Sequence, residues 1–265
     1  MFPRRGLAWG LACLLALGAC SFTDTPPDAV RQPPDPARGE LVAGRDFLHR
    51  VVHRRGSGRS LHVYIEGDGR PWVTPISAAR DPTPRRPVLP ALLALDEAPV
   101  LYLGRPCYYA TADTACDDRR WWTSHRYAPA VLDSLDAALD RFAGSYDSVT
   151  LIGHSGGGTL AYLLAARRGD VAALVTLAAN LNVGMWAAYH GYSRLEGSLD
   201  PAAMPAPGAA VQQLHYLGGQ DERVSSAMIT SVLGGQAGAR LTVLEEVGHS
   251  CCWAPHWPGI LQRLP

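Results

Sequence analysis

The sequence contains no lysine and no excess of either charge. Its 24 basic residues are therefore all arginine, and 24 acidic residues balance them in a chain of 265 residues. Because there is no positive excess and no basic tail, binding to nucleic acid by phosphate neutralisation is not expected. Hydrophobic residues make up 47% of the chain and charged residues 18%. This composition excludes a wholly disordered chain and a membrane protein with several spans, and it leaves a globular protein of one or two domains.

A membrane-spanning segment is also missing from the N-terminus, although the sequence there is apolar. Residues 6–19 form an apolar run behind Arg4 and Arg5, but its length of about 14 residues is too short for a spanning helix. The pattern is typical of a secretory signal peptide. It ends in L-G-A-C at residues 17–20, which resembles the bacterial lipobox, so Cys20 is the predicted site of lipid attachment. An ordinary signal peptide cleaved beside a cysteine is the alternative interpretation.

The lipobox sets the expected division of the chain and its location. Residues 1–19 are predicted to be a signal peptide, and residues 20–44 a lipidated N-terminus with a Pro-rich tether. The folded domain would then occupy residues 45–265. We expect the protein in the bacterial cell envelope, attached to a membrane through Cys20 and facing the periplasm. Ser21, beside the lipidated cysteine, favours the outer membrane over the inner membrane.

Strand-like and helix-like segments alternate along the folded domain. Two β-rich runs, residues 45–54 and 60–66, flank a G-S-G turn and predict an antiparallel hairpin. Further apolar strands are predicted at residues 99–104, 148–153, 171–179, 211–218 and 239–246. Helices are predicted at residues 129–142 and 159–168. This alternation predicts an α/β fold with a mostly parallel, doubly wound sheet and an antiparallel hairpin at its N-terminal edge.

The motif G-H-S-G-G at residues 153–157 lies between a predicted strand and a predicted helix. This arrangement is typical of a nucleophile elbow, in which a serine occupies a tight turn and flanking glycines let strand and helix approach. The hydroxyl of Ser155 would lie at a helix N-terminus, where backbone N–H groups favour a developing oxyanion. Ser155 is therefore the candidate nucleophile. A glycine-rich turn with an incidental serine is the alternative.

Candidate partners for this serine follow two later strands. Asp221 comes just after strand 211–218, and His249 just after strand 239–246. A serine hydroxyl needs a base, which His249 can supply, and Asp221 can hold the imidazole in one tautomer and stabilise its charged form. Glu222 is a neighbouring competitor for the acid. Asp221 could also be only a turn-forming residue.

The chain order of serine, aspartate and histidine, each at the end of a strand, resembles that of the α/β-hydrolase superfamily. The resemblance covers residues 45–265, and the C-Y-Y, W-W-T, A-A-N-L-N and H-S-C-C-W segments also resemble a group of bacterial secreted hydrolase-like lipoproteins. It implies a small loop-rich lid at about residues 181–210. It also implies an oxyanion hole formed by the backbone N–H groups of Gly156 and Asp68. The aromatic residues that could line an acyl pocket with this lid, or only pack irregular loops, include Tyr108, Tyr109, Trp121 and Trp122.

The expected oxyanion loop departs from the pattern of the superfamily. Many members carry His-Gly there, whereas this chain has Glu66 and Gly67, followed by Asp68. Carboxylates near the hole would repel an oxyanion unless they are paired, and Arg70 and Arg105 are the candidate partners. A simple turn is the alternative interpretation of this segment.

Four cysteines would remain after Cys13 leaves with the signal peptide and Cys20 receives lipid. They are Cys107, Cys116, Cys251 and Cys252. An even number in an exported protein suggests disulfides, for which three connectivities exist. A bond between the first two would close a polar loop, and the last two would then form a vicinal disulfide or stay adjacent thiols. A metal site built from His249, His256 and the last two cysteines is a further alternative, although adjacent cysteines suit tetrahedral coordination poorly.

Two classes of function fit these features. The first is a serine hydrolase that cleaves small-molecule or lipid esters through an acyl-enzyme, with no metal and no cofactor. The second is a lipid-anchored binding or scaffold module with a degenerate site. The complete set of Ser155, Asp221 and His249 favours the enzyme, whereas the acidic oxyanion loop favours the module. The sequence specifies neither the substrate nor the oligomeric state.

Overall fold

One sheet of eight strands organises the protein in a computed structural model that describes residues 32–236 and 238–265. The strands are β1 (Glu40–Ala43), β2 (Leu48–Arg54), β3 (Ser60–Ile65), β4 (Trp72–Thr74), β5 (Ser77–Ala78), β6 (Val100–Leu103), β7 (Ser148–His154), β8 (Val171–Leu177), β9 (Gln212–Gly218) and β10 (Ala239–Leu244). The order in the large sheet is β1-β2-β6-β3-β7-β8-β9-β10, and β4 and β5 form a separate two-stranded sheet. Six neighbouring strands of the large sheet run parallel to one another, namely β6, β3, β7, β8, β9 and β10. The predicted mostly parallel sheet is therefore confirmed.

Helices cover both faces of this sheet. They are α1 (Leu89–Ala94), α2 (Pro129–Ala143), α3 (Gly156–Ala165), α4 (Val183–Tyr189), α5 (Ser226–Leu233) and α6 (Trp257–Leu261). One apolar cluster joins the sheet to α2, α3 and α5, for example through Leu135 and Leu160. A second cluster on the opposite face includes Leu92 of α1 and Trp257 of α6. Burial on two faces explains why the central strands are apolar along their whole length.

The predicted hairpin between residues 45–54 and 60–66 is wrong in its pairing. Strand β6 lies between β2 and β3, antiparallel to β2 and parallel to β3. All four residues of β6 are buried. A strand of this kind buries the most apolar surface in the interior of a sheet, with a neighbouring strand on each side. The antiparallel hairpin at the N-terminal edge is formed instead by β1 and β2.

The folded part also begins earlier than the predicted tether allows. Strand β1 and the short 3-10 helix Pro36–Arg38 lie within residues 20–44. Glu40 pairs with Val51, so this stretch adds an edge strand to the sheet. The predictions for residues 1–19 and for Cys20 lie outside the described residues.

Short elements between the main strands were not predicted. They include α1, α4, α5, α6 and the small β4–β5 hairpin, none longer than eight residues and therefore too short for a clear period. Residues 181–210 contain α4 and the 3-10 helix Pro201–Ala203 among loops, as a small loop-rich insertion should. Within residues 32–236 and 238–265, no helix is both long and apolar enough to cross a membrane. The described residues belong to one compact unit.

Candidate active site

Ser155 lies on the tight turn between β7 and α3. Its backbone has φ 51° and ψ −124°, which is a strained conformation for a residue with a side chain. A Cβ on Gly153 would lie 2.4 Å from the carbonyl oxygen of Gly157, and a Cβ on Gly157 would lie 2.0 Å from that of Ile65. Both positions therefore require glycine, and the turn holds Ser155 at the carboxyl edge of the sheet.

His249 and Asp221 meet at this serine. The Nε2 atom of His249 lies 3.0 Å from Ser155 Oγ, and Nδ1 of His249 lies 2.9 Å from Oδ2 of Asp221. The other oxygen of Asp221 accepts hydrogen bonds from the backbone N–H groups of Arg223 and Val224, which fixes the carboxylate. The three residues predicted from the strand ends are thus brought together, and Glu222, the competing acid, is exposed.

Burial and hydrogen bonding act in opposite directions on the acid and the base. Burial lowers the pKa of His249 below its ordinary value, although the hydrogen bond that its Nδ1–H donates to Asp221 works to raise it. Burial also works to raise the pKa of Asp221, but the hydrogen bond and charge of His249 outweigh it and lower that pKa. At neutral pH the pair is therefore a carboxylate beside a neutral imidazole, which is the state that can accept a proton from Ser155 Oγ.

The loop after β3 passes directly over the elbow. A Cβ on Gly67 would lie 3.2 Å from Ser155 Cβ, and a Cβ on Gly156 would lie 2.1 Å from Oδ1 of Asp68. These contacts place the segment of Asp68 beside Gly156. A side chain at Gly156 would overlap Asp68, and one at Gly67 would press against His154 and Ser155.

A buried cluster holds the carboxylate of Asp68. It accepts hydrogen bonds from Nη1 of Arg105 at 2.5 Å, from Nη1 of Arg126 at 3.0 Å and from the hydroxyl of Tyr127 at 2.7 Å. Burial works to raise the pKa of Asp68, but the two guanidinium groups outweigh it and hold that pKa well below its usual range. The predicted pairing with Arg105 is present, whereas Arg70 is exposed. Sequence reasoning missed Arg126 and Tyr127, which no local motif marks.

Glu66, the other carboxylate of the loop, is also enclosed. Its two oxygens accept hydrogen bonds from the backbone N–H groups of Gly67 and Leu89, at 3.0 and 2.9 Å. Nδ1 of His154 lies 3.3 Å from Glu66 Oε1. Burial works to raise the pKa of Glu66, but His154 and the backbone donors outweigh it and lower that pKa. Glu66 therefore stays charged against a histidine and two backbone dipoles.

His154 connects the oxyanion loop to the loop of the base. Its Nε2 donates a hydrogen bond to the carbonyl oxygen of His249 at 2.8 Å, and Nε1 of Trp253 donates to the same oxygen at 3.2 Å. The rings of His154 and His249 lie 5.2 Å apart. The motif G-H-S-G-G contains His154, but the sequence gives no sign of this link.

The four cysteines of the described residues lie in two pairs. Cys107 lies against Cys116 in the arrangement of a disulfide, and Cys251 lies against Cys252, its neighbour in the sequence. Within the two described stretches, no group of three or more His, Cys, Asp or Glu side chains is placed to hold a metal ion. The alternative metal site that used His256 is therefore not assembled.

Two of the four aromatic residues that could line an acyl pocket are instead buried in loop packing. Tyr108 and Trp122 are buried, and the hydroxyl of Tyr108 donates to the carbonyl oxygen of Asp68. The insertion 181–210 reaches the acid loop through His190, whose Nε2 donates to the carbonyl oxygen of Arg223 at 2.8 Å. The insertion therefore borders the loop of the acid.

Comparison with known proteins places the fold. No protein-family model matches the chain, and no curated protein matches it. An α/β serine hydrolase without a lid from Xanthomonas campestris is similar in structure, with a TM-score of 0.57 and 15% identity over 85% of this chain and 94% of the other. An esterase from Pyrococcus furiosus has a TM-score of 0.56 and 11% identity over 84% and 86% of the two chains. The meta-cleavage product hydrolase from Pseudomonas fluorescens has a TM-score of 0.54 and 15% identity over 86% and 96%. The protein has the α/β-hydrolase fold.

Proposed function

We propose that this chain is a serine hydrolase that cleaves carboxylic esters through an acyl-enzyme. The observation that carries the proposal is the continuous series of hydrogen bonds from Asp221 through His249 to Ser155, at 2.9 and 3.0 Å. The fold alone does not decide activity, because one fold supports many functions. The presence of serine hydrolases and an esterase among the structural neighbours supports the same class of reaction.

Each residue of the series has one task in the reaction. His249 Nε2 takes the proton of Ser155 Oγ as this oxygen attacks the ester carbonyl carbon, and Asp221 stabilises the imidazolium that forms. The tetrahedral intermediate collapses when His249 returns the proton to the leaving alcohol, which leaves an acyl group on Ser155. Water then attacks the acyl carbon with His249 again as the base, and the carboxylic acid product leaves.

The oxyanion of each tetrahedral intermediate would accept hydrogen bonds from the backbone N–H groups of Gly156 and Asp68. The carboxylate of Asp68 does not prevent oxyanion binding, because two positive guanidinium groups, those of Arg105 and Arg126, pair with its single negative charge in one buried cluster. The side-chain charges of this cluster sum to a positive value beside the hole. The feature that favoured a degenerate binding module is thus compatible with an enzyme.

Covalent labelling tests the proposal directly. A fluorophosphonate probe is expected to label the wild-type chain at Ser155, and Ser155→Ala should remove both the label and, by about 10⁵-fold or more, the hydrolysis of p-nitrophenyl esters. Ser57→Ala, at an exposed serine of a distant loop, is the matched control and should label normally. A folded wild-type chain that takes no label would leave the binding module as the better proposal. If Ser155 is labelled, a panel of esters and amides with different acyl lengths would define the substrate.

We further propose that Cys20 carries the lipid that attaches the protein to a membrane on its periplasmic side. Growth with an alkyne fatty acid should label the wild-type chain, and Cys20→Ser should abolish the label. Cys13→Ser, within the same leader, is the control and should keep it. Label that persists in Cys20→Ser would disprove the anchor.

A further inference from the structure

A small apolar hairpin projects from the protein surface next to the candidate oxyanion loop. It consists of β4, β5 and the turn between them, residues 72–78. Three large hydrophobic side chains stand out on it: Trp72 is 43% exposed, Val73 60% and Ile76 93%. Single exposed hydrophobic residues are common, but three of them on one short hairpin indicate a contact surface.

The base of this hairpin is firmly held. The N–H of Ala79 donates to the carbonyl oxygen of Pro71 at 2.9 Å, and the N–H of Arg70 donates to that of Pro82 at 2.7 Å. The indole N–H of Trp122 donates to the carbonyl oxygen of Ala79 at 3.2 Å. The exposed side chains are therefore presented on a fixed support.

Arginines surround the hairpin although the whole chain has no net charge. Residues 69–86 carry four exposed arginines and one exposed aspartate, Asp81. The arginines are Arg70, Arg80, Arg85 and Arg86. An apolar tip with a positive margin complements a surface that is negatively charged outside and apolar beneath.

The hairpin and the candidate triad lie at the same edge of the sheet. The hairpin follows the carboxyl end of β3, and the candidate triad lies at the carboxyl ends of β7, β9 and β10. A surface that is bound by the hairpin would therefore lie close to the site.

We propose that residues 69–86 dock on an anionic lipid surface. Trp72, Val73 and Ile76 enter the zone between headgroups and acyl chains, and the four arginines contact the lipid phosphates. Tryptophan is favoured at this depth because its ring is apolar and its N–H is polar. A lipid anchor holds a protein better when a basic apolar patch adds a second attachment. Since the hairpin continues from the candidate oxyanion loop, docking would bring esters of that lipid surface to Ser155, a consequence that rests on the proposed function.

Sedimentation with lipid vesicles tests the docking surface. The chain from residue 20 onward with Cys20→Ser lacks the leader and the lipid but keeps the whole compact unit. We expect it to sediment with vesicles of equal parts phosphatidylglycerol and phosphatidylcholine, and much less with phosphatidylcholine alone. Binding should weaken as salt is raised, because salt screens the arginines. Equal or absent binding to the two vesicle types would overturn the proposal, and a protein partner would then be the better occupant of the hairpin.

Paired substitutions locate the surface. Trp72→Ser with Ile76→Ser should lower the vesicle partition coefficient roughly tenfold or more, and so should Arg85→Ser with Arg86→Ser. The matched control is Arg240→Ser with Val243→Ser, an exposed pair on the edge strand β10, which should bind as the parent does. If the control loses binding as fully as the hairpin variants, the hairpin is not the docking surface.

The docking proposal and the proposed function fail separately. The hairpin variants should retain hydrolysis of a soluble short ester, and Ser155→Ala should retain vesicle binding. Vesicle binding without ester hydrolysis in the parent chain would contradict the enzyme alone. Hydrolysis of the soluble ester without vesicle binding would contradict the docking surface alone.

Discussion

The two halves of the candidate site are built in different ways. The triad half consists of Ser155, Asp221 and His249, which lie on three turns that each follow a parallel strand and need only two hydrogen bonds between them. The oxyanion half is the loop after β3, and it depends on a buried cluster with Arg105 and Arg126 from two other segments. Changes in the triad half should therefore remove activity and leave the fold intact, whereas changes in the oxyanion half should first lower stability.

The largest expected effect lies in the triad half. Asp221→Asn should lower kcat for ester hydrolysis by about 10⁴-fold, because the amide would favour the wrong tautomer of His249. The free energy of unfolding should change little, since the amide oxygen can still accept the backbone hydrogen bonds. Glu222→Gln is the matched control and should stay near wild-type activity. Comparable losses in both variants would show that Asp221 has no special role.

Asp68→Ala, in the oxyanion half, should first lower the stability of the fold. Removal of this carboxylate leaves two buried guanidinium groups without their partner, which should cost about 3–5 kcal/mol of the free energy of unfolding in urea. Asp147→Ala, which removes an exposed partner of Arg59, should change stability little. Similar unfolding midpoints for the two variants would show that the buried cluster does not support the loop.

The same carboxylate predicts how stability depends on pH. The folded pKa of Asp68 is depressed, so its contribution is present above the unfolded pKa of about 3.9 and is lost as pH falls below that value. Wild-type stability should therefore decline in acid below about pH 4. The decline should be smaller in Asp68→Ala, and equal slopes in the two proteins would contradict the assignment.

The disulfides allow a third comparison. Cys107 and Cys116 are nine residues apart in the segment that supplies Arg105, and the loop-entropy formula gives this bond about 2.7 kcal/mol. Replacing both with serine should lower the free energy of unfolding by that order. Serine at both Cys251 and Cys252 should cost much less, because adjacent residues close almost no loop. The reverse order of stability would contradict this comparison.

The smallest expected effect concerns His154, which joins the two halves by contacting the loop of the base, His249. Protonation of His249 removes the base, so kcat/KM should fall on the acid side, with its inflection below 6.5 because burial lowers the pKa of His249. The charge of His154 also lowers that pKa, so His154→Gln should move the inflection to higher pH and lower kcat by about tenfold through the lost hydrogen bond. His53→Gln, at a distant exposed histidine, should leave the profile unchanged. An unchanged inflection in His154→Gln would show that His154 only packs.

Much of the parallel sheet could be predicted because its signals are local. The apolar runs at β6, β7, β8 and β9 mark buried strands, and the elbow glycines follow from a steric need within five residues. The pairing of β2 with β6 could not be predicted in this way, since adjacent runs along the chain suggested a hairpin. Strand order depends on which apolar surfaces cover one another, and that choice involves the whole domain.

Local sequence was enough to predict the α/β class, the strained position of Ser155 and the order in which acid and base follow it, because each depends on periodicity or backbone geometry over a few residues. The folded arrangement was needed to show that Arg105 and Arg126 neutralise Asp68, that His154 contacts the loop of His249, and that an apolar hairpin stands among arginines beside the site. Charges and surfaces interact through space, so their partners are set by the folded arrangement of distant segments and carry no spacing that a linear sequence could reveal.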